Sequence, residues 1–228
     1  MNLKKIQEAL QQYKNFLRAN LRQLSVYKWE SLQIFQQRWD IEAEDFKAMY
    51  DQSLQNSHTR RLWKRENYEP KQMMLKFIEG QPDFVRFLFK DLFREKAEVE
   101  GRVGRFIFHC DELLREYKQA HPRSIENNHF HDDNYQMVSL YLAFRYPENY
   151  APYDFEKFKK LLKLLGSKDL PKVNEVARFY KVMRTLYQFL EKDEELIQLH
   201  QRRLLPGKHF QGKSLLLVED FYRYLTGG

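Results

Sequence analysis

The sequence predicts an all-α protein of about nine to eleven helices. Apolar residues recur every three or four positions along most of the 228-residue chain, which is typical of amphipathic helices. The chain holds only 8 glycines and 7 prolines, so the predicted helices have short connections. Four of the prolines stand where a predicted helix begins or ends.

The most apolar predicted helix lies in the segment 129–158. Its apolar residues are Tyr135, Val138, Leu140, Tyr141, Leu142 and Phe144. A helix that is apolar on nearly all sides belongs inside a packed domain, and this one is too short to span a bilayer. Asp132 or Asp133 is predicted to cap its first turn, and Pro147 to end it.

A second helix is predicted to pack beside this central one. Asp154 is its expected N-cap, apolar residues follow at helical spacing, and Gly166 ends it.

The N-terminal half reads as a series of amphipathic helices. The first spans 3–24 with lysines and arginines on its outer face, and the second runs from Trp29 to Trp39. A third is expected from an Asp40 cap to Leu54, followed by a surface loop over 55–69. Three further helices are predicted at Pro70–Gly80, Pro82–Phe93 and Val99–Ala120.

The remaining C-terminal helices are located by their start signals. Pro171 is expected to open a long helix, Asp193 to cap a shorter one and Ser214 to cap the last. A polar loop at 121–131 divides the chain into an N-terminal helical half, 1–120, and a C-terminal half, 132–226, which we expect to form one compact unit.

Composition limits the class of protein. The net charge is +7, which permits an acidic partner such as nucleic acid. The single cysteine, Cys110, excludes an internal disulfide and suits a reducing compartment. The first 14 residues have no apolar segment typical of a signal peptide, and no apolar run is long enough to cross a bilayer. These features predict a cytoplasmic protein with no membrane partner.

Two basic clusters are candidate nucleic-acid contacts. Arginine forks bind phosphates and aromatic rings stack on bases, so basic and aromatic residues in one loop suit DNA. The first cluster comprises Arg60, Arg61, Trp63, Lys64, Arg65 and Tyr68. The second lies in a stretch without acidic residues, 198–218, and comprises Arg202, Arg203, Lys208 and Lys213. The alternative for both clusters is an exposed, solubilising loop.

Residues 207–214, GKHFQGKS, match the phosphate-binding P-loop pattern. That loop normally follows a buried strand, whereas a polar helical segment precedes residue 207, and only fourteen residues follow Ser214. We therefore predict no nucleotide binding at this loop.

A metal site is the alternative for another polar cluster. His129 and His131 precede Asp132 and Asp133 in an arrangement that could ligate zinc, and His131-Asp132 is similar to the pair of HD phosphohydrolases. Helix capping accounts for the same aspartates. Cys110 has no second cysteine and is expected in the core. No catalytic residue, metal or cofactor is predicted.

Four segments together resemble the N-terminal region of McrB-like AAA+ proteins of modification-dependent restriction systems. They are the aromatic-rich runs at 26–54, 62–93 and 139–161 and the close VEDFYRYL at 218–225. The resemblance implies a domain that selects a DNA target, including modified DNA. It also implies partners: a downstream AAA+ motor, typically hydrolysing GTP, and a separate nuclease subunit. The chain contains no AAA+ module, so no catalysis carries over.

The sequence therefore predicts a non-enzymatic, DNA-binding target-recognition domain of a restriction NTPase. Two alternatives stay open. One is a helical docking module that contacts another subunit or a phage trigger, and the other is an HD-like metal hydrolase.

Overall fold

A computed structural model describes residues 1–20, 26–55, 69–123 and 135–227. Within these ranges it contains eleven α-helices and no β-strand, as the sequence predicts. The helices are α1 Leu3–Asn20, α2 Tyr27–Arg38, α3 Phe46–Ser53, α4 Pro70–Gly80, α5 Pro82–Leu92, α6 Val99–Ala120, α7 Gln136–Arg145, α8 Phe155–Leu164, α9 Val176–Glu191, α10 Glu194–Gln201 and α11 Leu216–Thr226.

One hydrophobic core contains residues from both halves of the chain. The first helix, α1, packs against α10 and α11, and α2 packs against α7. Helix α11 in turn lies along α8 and α9. The N-terminal and C-terminal segments therefore bury their apolar faces against each other.

The central helix, α7, is buried from Met137 to Phe144, which confirms its predicted place in the core. Leu140, Leu142 and Phe144 are 2%, 0% and 0% exposed. The hydroxyl groups of Tyr50 and Tyr141 lie 2.6 Å apart inside the core, so each phenol is satisfied without water.

Helix boundaries set by local chemistry agree with the sequence. Pro70 and Pro82 each occupy the first turn of a helix, where a missing N–H costs nothing. Asp154 accepts a hydrogen bond from the Lys157 amide at 3.0 Å and caps α8. Asp193 caps α10 in the same way.

Helix α3 is capped by a different residue from the one predicted. Asp45, not Asp40, accepts from the Ala48 amide at 2.9 Å. Asp40 instead accepts from the amide of Glu42 and closes a turn before the helix. Both aspartates have capping chemistry, and the turn between them decides which one precedes the helix.

Helix α9 starts at Val176, five residues after the predicted start at Pro171. The side chain of Glu100 on α6 reaches across and accepts from the Ala177 amide at 3.0 Å. Val173, which a helix beginning at Pro171 would include among its apolar positions, lies before α9 and is 67% exposed. A helix start that is capped from another helix leaves no local signal in the sequence.

The remaining predictions at helix ends concern Ser214, which the structure describes, and several residues that it does not describe. Helix α11 begins at Leu216, and Ser214 precedes it by two residues, with its hydroxyl accepting from the Leu216 amide at 3.2 Å. The predicted caps Asp132 and Asp133, the end of the first helix at 21–24 and most of the loop at 55–69 lie outside the described residues.

Candidate nucleic-acid interface

The first predicted basic cluster lies outside the described residues. It comprises Arg60, Arg61, Trp63, Lys64, Arg65 and Tyr68, all within 56–68. Their role in DNA binding stays a prediction. The second cluster is described in full and can be compared with the other cations of the fold.

Arg203 belongs to the interior and not to an exposed basic loop. Its side chain is 1% exposed, and its guanidinium donates to the carboxylate of Asp220 on α11 at 2.7 Å. The guanidinium also lies 5.0 Å from the centre of the Trp29 ring, a cation–π distance. The prediction that Arg203 contacts DNA directly is therefore corrected, because a phosphate cannot reach a buried group that already holds a carboxylate.

The same carboxylate ties the first helix to the last. Tyr13 on α1 donates its hydroxyl to Asp220 at 2.9 Å. Burial, followed by the charge of Asp220, raises the pKa of Tyr13 well above its usual value, so the phenol stays protonated and donating. His200 on α10 packs against the Trp29 ring, and burial together with Arg203 lowers its pKa to about 3.

A second buried cluster of charged side chains lies beside Asp220 on α11. Glu219 is fully buried and accepts from Lys28 of α2 and from Arg223 one turn further along its own helix. Two cations on one carboxylate offset the cost of placing the charge in the interior. Together with the pair formed by Arg203 and Asp220, this group joins α2, α11 and the connection after α10.

The other cations of the second cluster lie at the surface, and two of them have partners. Lys213 contacts both carboxylate oxygens of Glu191 at 2.9 and 3.1 Å. Lys208 lies 3.6 Å from Glu30. Arg202 is exposed, and no carboxylate of the described residues forms an ion pair with it. Three of the four predicted cations, counting Arg203, therefore have an acidic partner inside the fold.

The segment that matches the P-loop pattern follows helix α10 and not a strand. The amide of Phe210 donates to the carbonyl of Trp29, which holds the segment against α2. The imidazole of His209 accepts from the Leu205 amide at 2.9 Å within the same turn. Lys213, the lysine of the pattern, is turned toward Glu191.

Another surface carries cations without acidic partners. Residues 155–172 contain six lysines and two acidic residues. Their net charge of +4 is more than half of the +7 of the chain. On α8, Phe158, Leu161 and Leu162 face the core. Lys159, Lys160 and Lys163 are exposed on the opposite side, because positions separated by three or four residues share a helix face.

The end of α8 brings a lysine from α1 to the same side. Gly166 has a φ of +72°, and the amides of Gly166 and Ser167 return to the carbonyls of Lys163 and Leu162, which is a Schellman turn. The side chain of Lys5 lies across this glycine, with its Cδ 3.2 Å from the position that a Cβ would take. Gly166 falls in line with Lys159 and Lys163, at a spacing of four and three residues.

We name Lys5, Lys159, Lys160 and Lys163 the lysine face. Lys160 donates to the carbonyl of Thr226 at 2.5 Å and so also neutralises the C-terminal end of α11. No carboxylate of the described residues forms an ion pair with any of the four lysines. The face is therefore a local excess of positive charge on rigid helical backbone.

The apolar residues of α8 predict its packing in the core, whereas its lysines are not among the DNA contacts predicted from the sequence. The signal was present, because lysines at 159, 160 and 163 fall on the face opposite the apolar positions. The position of Lys5 beside Gly166 had no sequence signal, since a contact between α1 and the end of α8 is long-range.

The metal alternative gains no ligand set from the described part of the chain, which holds no group of three or more histidine, cysteine or acidic side chains arranged around a cation. The predicted cluster at His129, His131, Asp132 and Asp133 lies outside it. Cys110 is fully buried, as predicted, and burial raises the pKa of its thiol.

Across the described ranges, every helix falls short of the length or the apolar character needed to cross a membrane. No family model, no curated protein and no solved structure matches the chain.

Proposed function

We propose that the chain is a cytoplasmic, non-enzymatic DNA-binding domain that contacts the phosphate backbone through the lysine face. The observation that supports this proposal is the set of four exposed lysines without acidic partners on α1 and α8. Phosphates attract such charge strongly, because each neutralised phosphate releases condensed counterions. The resemblance to McrB-like N-terminal domains supports the same class of function.

The chemistry of lysine divides the work between two regions. An ammonium group is a point charge that binds phosphate without reading the base sequence. Base or modification recognition then requires other residues, and Trp63 and Tyr68 of the predicted loop have the aromatic chemistry for stacking on an exposed base. In this proposal the lysine face holds the duplex while the 58–68 loop reads it.

The test is the salt dependence of binding to duplex DNA, measured by fluorescence anisotropy. A triple variant, Lys5→Ala, Lys159→Ala and Lys163→Ala, should flatten the slope of log affinity against log salt by about 2.7, at ~0.9 for each lost phosphate contact. The melting temperature should stay close to that of the wild type, since all three side chains are exposed.

A matched triple variant supplies the control. Arg202→Ala, Lys208→Ala and Lys213→Ala remove the same three positive charges from the other basic region. The slope should change much less in this variant, because two of its cations already have carboxylate partners. Equal flattening in both variants, or no binding by the wild type, would contradict the proposal.

The predicted loop is tested separately with modified and unmodified duplexes. Arg60→Ala with Arg61→Ala should also flatten the salt slope. Trp63→Ala should instead weaken binding equally at all salt concentrations, because stacking depends little on salt and contributes ~1–3 kcal/mol per base.

A docking module for a partner subunit is the second candidate function. It is favoured by two exposed phenylalanines on α5 and α6, Phe87 and Phe108, which are 58% and 59% exposed. Binding to a motor or nuclease subunit with no affinity for DNA would favour this candidate over the first.

A further inference from the structure

A row of four aromatic rings crosses the outer surface of α5 and α6. Phe84 contacts Phe87 on α5 and His109 on α6, with ring centres 6.4 and 5.4 Å apart. His109 continues the row to Phe108 at 5.3 Å. Phe87 and Phe108 remain more than half exposed at its two ends. Exposed aromatic groups of this kind mark interaction surfaces, where buried rings contribute much of the binding energy.

The exposed side of α6 is self-complementary in charge. Gly101, Arg105, Phe108 and Glu112 follow one another at spacings of four, three and four residues, so they share one face. If two copies of α6 pack antiparallel about a twofold axis beside Phe108, Arg105 of each copy faces Glu112 of the other. Such an isologous contact uses the same surface twice and closes after two copies.

Both charged groups have capacity for an additional partner. Asp91 accepts a hydrogen bond from the Nε–H of Arg105 at 2.8 Å. Both Nη groups of that guanidinium can therefore donate to a second carboxylate. Glu112 holds Arg115 through one oxygen, Oε1, at 2.7 Å. A Cβ on Gly104, beside this stripe, would meet nothing within 4 Å, so the space above the helix is open.

The charge balance of this surface also favours a second copy over other partners. The chain as a whole carries +7, so two copies repel each other at most orientations. Residues 82–120, which form α5, α6 and their connection, carry eight basic and eight acidic side chains, a net charge of zero. One of the basic side chains, Arg86, is turned inward to the carbonyls of Ile41 and Ala43.

We propose that this α5–α6 surface joins two copies of the chain in a twofold dimer, with the Phe108 rings buried beside the axis and the Phe87 rings buried further from it. The inference goes beyond DNA binding and does not depend on it. In the dimer, Arg105 bridges Asp91 of its own chain and Glu112 of the other copy.

Sedimentation equilibrium across a concentration series tests the dimer directly. The wild type should double in mass with rising concentration. Phe87→Ser with Phe108→Ser should raise the dimer dissociation constant about tenfold or more, because central aromatic anchors dominate such interfaces. Val173→Ser is the control, since it removes an apolar side chain outside α5 and α6 that is 67% exposed.

A charge exchange identifies the geometry. Arg105→Glu alone and Glu112→Arg alone should each weaken the dimer, since like charges then face each other across the axis. The double variant should recover most of the wild-type affinity. A wild type that stays monomeric at all concentrations would overturn the proposal, as would a dimer insensitive to the phenylalanine substitutions. Failure of the double variant to recover would overturn the antiparallel arrangement.

Discussion

Two regions of the molecule are basic: the connection between α10 and α11, and the lysine face. They differ in whether their cations are paired with carboxylates. In the connection, Arg203 and Lys213 face carboxylates from other helices, and Lys208 lies near Glu30. On the lysine face, four ammonium groups project from α1 and α8 with no acidic partner among the described residues. Each region has four cations. Those of the connection mostly pair with carboxylates of other helices, whereas those of the lysine face do not.

The comparison shows that a basic stretch of sequence need not form a basic surface in the folded protein. A stretch without acidic residues, such as 198–218, still finds carboxylates once the chain folds, because Asp220, Glu191 and Glu30 arrive from other positions. The lysine face keeps its charge because no carboxylate of the described residues pairs with its four lysines, and Asp169, which follows α8, pairs with Arg178 at 3.1 Å instead.

The largest expected effect is the loss of stability on replacing the buried Arg203, compared with its exposed neighbour Arg202. Arg203→Met should lower the free energy of unfolding by about 3 kcal/mol, the lower end of the range for breaking a buried ion pair, since Asp220 keeps Tyr13 and some solvent. Chemical denaturation monitored by Trp fluorescence measures the loss.

Arg202→Met is the neighbouring control for that measurement. Its side chain is exposed, so the change in stability should stay within about 0.5 kcal/mol. Equal effects at both positions would remove the distinction between the two arginines.

A second prediction concerns acid. His200 has a pKa of about 3 in the folded chain because burial excludes its charged form, whereas the unfolded chain protonates it near 6.5. The unfolded state therefore binds more protons as the pH falls, and stability declines from about pH 6.5 downward. Between pH 7 and pH 5 this group should cost about 2 kcal/mol.

His200→Gln isolates the contribution of that imidazole. The variant loses some packing against Trp29 at every pH, but its denaturation midpoint should decline less between pH 7 and pH 5 than that of the wild type. Parallel declines in the two proteins would show that His200 carries no such linkage. No corresponding change is expected from substitutions on the lysine face.

The smallest expected effect is at Lys213. Its ion pair with Glu191 joins side chains that are 50% and 47% exposed, so Lys213→Ala should change the free energy of unfolding by only ~0–1 kcal/mol. The variant should leave the salt slope of DNA binding as it is. A clear drop in that slope would place Lys213 on the DNA surface after all.

The parts of the fold that sequence analysis predicted correctly depend on neighbours in the chain. Asp154 and Asp193 cap the helices that follow them, and Pro70 and Pro82 open helices, because capping and the fixed φ of proline act over three or four residues. The burial of α7 also followed from its own apolar residues.

Apart from the α3 cap, where Asp45 replaces the predicted Asp40, the errors arose where a distant residue decides the outcome. Glu100 of α6 supplies an acceptor to the start of α9, and no pattern near Pro171 could indicate it. The burial of Arg203 depends on Asp220, which belongs to the next helix, and on Trp29 of α2. The contribution of Lys5 to the candidate site has the same cause, because Lys5 reaches the end of α8 only in the folded chain. The three lysines of α8 itself do have a local signal, since they lie opposite its apolar positions.

The hydrogen bond between Tyr13 and Asp220 has a consequence for synthesis on the ribosome. Its two residues are 207 positions apart. At a translation rate of ~5–20 residues per second, α1 leaves the ribosome roughly 10–40 s before its partner helix exists. Until then, the apolar side of α1 lacks the contacts that α10 and α11 supply in the folded chain. The native packing of α1 is therefore completed only after α11 has been synthesised.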